Sequence, residues 1–165
     1  MTKFNETQSN IQGLSLGNYR LQVDVETTRA YYAAHSGPWV TCTCAGCRNF
    51  VREVKSLPQP VKDFFARLGL DPEKVNELCY YNGTRSTVIG DGWYHLAGTV
   101  LEGSSRPGDH VLFPAGWYDL AEGFSVGFQN HCDLLPEDFP RPCFQMHFNY
   151  TLPWVLEEPN PYLYE

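Results

Sequence analysis

Cys143-Phe144-Gln145-Met146-His147-Phe148-Asn149-Tyr150-Thr151 alternates without interruption. In an extended chain, successive side chains point to opposite faces. Phe144, Met146, Phe148 and Tyr150 therefore share one side, while Cys143, Gln145, His147, Asn149 and Thr151 share the other. The pattern predicts a long strand whose apolar face lies on a core.

Outward from this strand, Phe124-Ser125-Val126-Gly127-Phe128 alternates in the same way, and residues 129 to 142 between the two read as a polar, proline-bearing loop. Trp93 to Leu101 is the expected central strand, bounded by Asp91-Gly92 and Glu102-Gly103. Bulky residues on both its faces predict a sheet covered on both sides over part of its area. Val111-Leu112-Phe113 is expected to resume the sheet. Near the other end of the chain, Tyr19, Leu21, Val23 and Val25 alternate as an initial strand, and residues 1 to 17 are expected to form an irregular arm or an edge segment.

Helical signals lie between that first strand and the later sheet. Thr27 or Thr28 is placed to cap a short helix through Ala34, and His35 lies beside its end. Arg48 to Lys55 predicts a helix burying Phe50, Val51 and Val54, and Pro60 opens another, with Val61, Phe64, Phe65 and Leu68 inside and Gly69 at its close. Asp71-Pro72-Glu73 predicts a fourth helix start, with Val75, Leu78 and Cys79 on its buried face. The expected fold class is α+β: a mostly antiparallel, aromatic-rich sheet with an N-terminal strand and a small layer of short helices. The expected organisation is one domain over residues 18–165, helical over about 27–79 and sheet-rich over about 88–156.

Cys42-Thr43-Cys44-Ala45-Gly46-Cys47 joins these two parts and holds half of the six cysteines. Extended spacing puts Cys42 and Cys44 on one face, and a turn at Ala45-Gly46 would return Cys47 beside them. Three converging thiols suit zinc, which favours four ligands and binds thiolate sulfur well. His95 on the central strand is placed to supply the fourth, with Cys79, Cys132 and Cys143 as alternatives. A Cys44/Cys47 redox pair and ordinary unligated thiols are the competing readings. His131, Cys132, Cys143 and His147 form a second possible donor set, but strand geometry separates Cys143 from His147 by about 13 Å.

A near repeat, Gly92-Trp93-Tyr94-His95 and Gly116-Trp117-Tyr118-Asp119, raises a His95/Asp119 pair, against which stands a neutral His95 bonded to backbone in the core. The net charge of -7 disfavours nucleic acid and favours a basic protein partner, although Arg48, Arg52 and Lys55 could share one helix face. No phosphate-binding loop, nucleophile elbow or zinc-protease helix motif occurs. No stretch approaches the eighteen or so apolar residues of a membrane span, and the first residues are polar, so the expectation is cytoplasmic residence away from membranes. Together these features predict a noncatalytic protein-interaction or regulatory module with a structural zinc. A small metal- or thiol-dependent enzyme using Cys47 and a histidine is the alternative.

Overall fold

The computed structural model describes residues 11–36 and 39–163. Seven strands among them form one antiparallel sheet: β1 (Ile11–Leu16), β2 (Tyr19–Asp24), β3 (Glu77–Gly83), β4 (Thr87–Glu102), β5 (Tyr118–Ala121), β6 (Phe124–Gln129) and β7 (Cys143–Pro153). The order is β1-β2-β4-β7-β6-β5, and β3 pairs with β4 as well. Helices α1 (Val25–Ala34), α2 (Ala45–Glu53) and α3 (Gln59–Leu68) complete the α+β fold.

β4 is the spine of the sheet. One edge runs against β7 from Thr87↔Pro153 to Ala97↔Cys143. The other edge is shared end to end, with β3 against residues 88 to 93 and β2 against residues 98 to 102. Between them β4 has no strand neighbour on that edge, and buried backbone groups must find other partners. Side chains of α1 and of Asn76, which precedes β3, fill the gap. The Tyr32 hydroxyl donates to the His95 carbonyl at 2.7 Å, Asn76 Oδ1 accepts from the His95 N–H at 3.2 Å, and Thr28 Oγ1 accepts from the Ala97 N–H at 3.0 Å.

The two faces of the sheet differ sharply in chemistry. On one, Tyr94 and Leu96 of β4, Phe124, Val126 and Phe128 of β6, and Phe144, Met146, Phe148 and Tyr150 of β7 are buried under α2 and α3. Phe50 of α2 stacks on Phe148, and Phe65 of α3 meets Tyr94 edge to face. The opposite face carries His95, Gln145 and Gln129 in one rung and Trp93 and His147 in the next. The loop at residues 130–142 covers the first rung through Asp133 and Phe139, and Phe113 covers the second. Cover on both sides is therefore present, as the bulky residues of 93–101 predicted.

Several boundaries differ from the sequence reading. Of the two forms expected for residues 1–17, residues 11–16 take the edge segment, as a strand, whereas residues 1–10 lie outside the described residues. Asp24 caps α1, accepting from the Thr27 N–H at 3.0 Å, which frees Thr28 for the buried edge of β4. Val51 faces outward on α2, and Asn49 takes the buried position, clamping the Pro153 carbonyl and the Val155 N–H. The helix expected from Asp71 is absent: Asp71 closes a turn by accepting from the Glu73 N–H, and residues 77–83 become β3 because β4 offers them an open edge. Val111-Leu112-Phe113 is not a strand, and its Phe113 works as a cover.

Candidate metal centre

Helix α2 gathers the three cysteines. It begins at Ala45, ahead of the Arg48 start expected from its apolar stripe, so Cys44 is its N-cap and Cys47 lies in its first turn. The Cys44 sulfur accepts from the Cys47 N–H at 3.5 Å, and the Cys42 sulfur accepts from the Cys44 N–H at 3.5 Å. Helix geometry, rather than a separate turn at Ala45-Gly46, thus returns Cys47 to its partners. All three sulfurs lie within 4.8 Å of one another. Zinc–sulfur bonds of about 2.3 Å place tetrahedral sulfurs about 3.8 Å apart, so closure on an ion needs a contraction of at most about 1 Å.

Two tyrosines complete the surroundings, and neither was assigned to the site from sequence. The Tyr162 hydroxyl accepts from the Gly46 N–H at 3.3 Å and approaches the Cys44 sulfur at 3.8 Å. Tyr80 packs beside Tyr162 with ring centres 5.6 Å apart. Gly46 makes this possible: a Cβ there would lie 2.5 Å from the Tyr80 ring and 2.8 Å from the Tyr162 hydroxyl. A glycine between two cysteines was the available signal, since it marks a close approach from outside the motif.

The thiols differ electrostatically. Burial opposes ionisation of Cys44, but the Cys47 N–H, the Cys42 and Cys47 thiols and the Tyr162 hydroxyl together outweigh it and bring Cys44 down to about 7. Burial, reinforced by Cys44 and Cys42, pushes Cys47 up. The first negative charge of the trio therefore rests on Cys44, at the positive end of α2. Cys47 is buried, while Cys42 and Cys44 are exposed on a cleft of about 270 Å³ that also reaches Glu77, Cys79 and Trp39.

Other candidate donors are distributed elsewhere. His95 is fully buried on the opposite face of the sheet, where its Nε2 meets the Asp133 carbonyl at 3.1 Å and Gln145 Oε1 at 3.0 Å. Both partners accept, so Nε2 carries the proton. Burial lowers the His95 pKa against these two bonds, which favours the neutral ring. Asp119 lies in a different rung and accepts from Ser125, so no His95/Asp119 pair forms. Cys79 shares the cleft but stands outside the three-sulfur group, and Cys132 and Cys143 are beside each other at the base of the 130–142 loop. Arg48 of α2 pairs with Glu158, and Lys55, just past the end of α2, reaches Glu73 at 3.8 Å.

The polar face has its own pH signature. Gln145 Nε2 donates to Asp133 Oδ2 at 3.0 Å and to His147 Nε2 at 2.5 Å, which holds His147 as an acceptor and hence neutral. Burial lowers His147 to about 4, with Asp133 opposing and His95 assisting. Between that value and the ordinary histidine range the unfolded chain binds the extra proton, so stability present at pH 7 is lost as pH falls toward 4. The expected slope from His147 is at most about 1.4 kcal/mol per pH unit. Urea midpoints measured from pH 7 to pH 4.5 should fall, and His147→Gln should flatten the decline. An unchanged slope in that variant would assign the proton uptake to another group.

No helix among the described residues is long and apolar enough to cross a membrane. Compared with protein-family models, curated proteins and solved structures, the chain finds no match. The fold and site define an α+β protein with a three-cysteine cluster able to bind a metal ion.

Proposed function

We propose that Cys42, Cys44 and Cys47 hold zinc as a structural centre in a noncatalytic module that recognises another protein. The observation that carries this reading is the convergence of three sulfurs within 4.8 Å at the N-terminus of α2. An ion there ties the segment before α2 to the helix, where Tyr80 and Tyr162 also pack. The groups bonded to the trio are backbone N–H groups and a tyrosine hydroxyl, while His95 and His147 are engaged on the far face of the sheet. That separation favours a structural over a catalytic centre, because thiol or metal-water chemistry needs a base within reach. Beside the centre, Trp39, Val40, Phe50 and Val54 line an apolar groove of about 360 Å³ rimmed by Asp71, Glu73 and Lys74. With a net charge of -7, this supports a protein partner that offers an apolar anchor flanked by basic residues.

Protein purified without chelators is expected to carry about one zinc per chain by elemental analysis. Cys47→Ser should lose it and lower the melting temperature by about 5 °C, less than in a zinc finger because this chain has its own core. Metal-free native protein would overturn the proposal. One observation favours a second reading: the trio supplies three donors and two of them border a cleft, as in centres that keep a coordination position for substrate. Cobalt substitution separates the two. An absorption spectrum indifferent to added imidazole or small thiols marks a closed structural site, and a shifted spectrum marks an open one.

A further inference from the structure

The remaining cysteines are not scattered. Cys132, in the loop after β6, and Cys143, the first residue of β7, have their sulfurs 3.9 Å apart. A disulfide requires about 2.05 Å, a further closure of about 1.9 Å. Both thiols border an open groove of about 620 Å³ lined also by Asn130, His131, Leu135 and Arg141, which admits a small oxidant. The loop between them is held inward at two points. Asp133 donates its N–H to Gln145 Oε1 at 2.7 Å, and Phe139 is buried against Tyr31, Tyr32 and His95.

We propose that Cys132 and Cys143 are a thiol pair that hydroperoxides convert to a reversible disulfide, stapling the loop at residues 132–143 across its base. Burial raises the Cys132 pKa, and the Cys132 S–H is directed at the Cys143 sulfur, so Cys132 keeps its proton and Cys143 is the sulfur that attacks. The Cys143 thiolate cleaves the peroxide O–O bond, taking one oxygen as a sulfenic acid and releasing hydroxide, which accepts the proton Cys143 gave up. Cys132 sulfur then attacks the sulfenic sulfur: an S–S bond forms, the S–O bond breaks, and water leaves with the Cys132 proton. Two thiols and one hydrogen peroxide become one disulfide and two waters. A dithiol reductant reverses the change by exchange.

The test uses the full, metal-replete chain treated with hydrogen peroxide, alkylated with iodoacetamide and digested with a glutamate-specific protease. Cleavage after Glu137 separates the two cysteines, so fragments 123–137 and 138–157 stay joined only through a disulfide. The expected result is the joined pair, released by dithiothreitol and absent in Cys132→Ser and Cys143→Ser. The oxidised wild type should melt about 5 °C above the reduced protein, with no such rise in either variant. The proposal is overturned if both cysteines emerge alkylated, if they stop at sulfinic or sulfonic acid, or if either is found joined to another cysteine of this chain or of a second one.

Discussion

Phe148→Ala is expected to destabilise the protein by about 4 kcal/mol. Phe148 is 1% exposed at the middle of β7, and its ring is the point at which the two layers meet. Phe124 stacks on it at 5.8 Å with planes 12° apart, Tyr94 lies 5.6 Å away, and Phe50 of α2 stacks at 6.2 Å. Across the ladder its partner is Gly92, where a Cβ would already come within 3.1 Å of the Phe148 ring. No neighbouring side chain can swing into the vacated space, because the position below is a glycine and the aromatic rings around it are held by their own strands and helix. The cavity term is therefore felt in full. Melting temperature should fall by about 12 °C for a chain of this size. A loss below about 1.5 kcal/mol would mean that the layers collapse onto one another, and that the ring is not their shared anchor.

Gly98→Ala is expected to cost about 3 kcal/mol or more, for a reason unrelated to burial. Gly98 has φ of +134°, and a Cβ there would lie 2.0 Å from the Gln22 carbonyl oxygen and 3.1 Å from the Val23 Cα. These are backbone atoms of β2, so relief requires β2 to move away from β4. Such movement also disturbs Asp24, the cap of α1, and with it the Thr28 and Tyr32 bonds along the open edge of β4. The urea midpoint should fall by about 1.5 M. Hydrogen exchange should accelerate in β1 and β2 and remain slow in β6 and β7. Uniform acceleration would show that the N-terminal hairpin does not yield separately.

The elements that were legible in sequence are those whose signals are local. Alternation over residues 143–151 places Phe144, Met146, Phe148 and Tyr150 inward because a period of two leaves no other register for a one-sided core. Pro60 and Gly69 bracket α3 by their backbone constraints. The stretch from Asp71 to Cys79 misled for the complementary reason. Its Asp-Pro-Glu start suits a turn as well as a helix, and the deciding partner is the edge of β4, which no local pattern announces. At the metal centre, the clustering of Cys42, Cys44 and Cys47 follows from spacing and from one helix end. The surroundings do not: Tyr80 and Tyr162 arrive from β3 and the C-terminal segment. His95 was placed on the right kind of element, but whether a strand residue faces the helices or the loop depends on a register that sequence alone leaves open. Its neutral, backbone-bonded state matches the core reading of that histidine.

The pairing of β4 with β7 has a kinetic side. Its innermost register, Ala97 with Cys143, spans 46 positions of chain, and its outermost, Thr87 with Pro153, spans 66. Until that contact closes, β4 with β3 and β2 on its far edge, and β7 with β6, remain separate halves of the sheet. Such distant pairing carries a large loop-closure cost before any burial offsets it, so folding is expected on the slow side, in milliseconds to seconds. On a chain emerging from the ribosome, the helices and their apolar faces exist well before the sheet that shelters them.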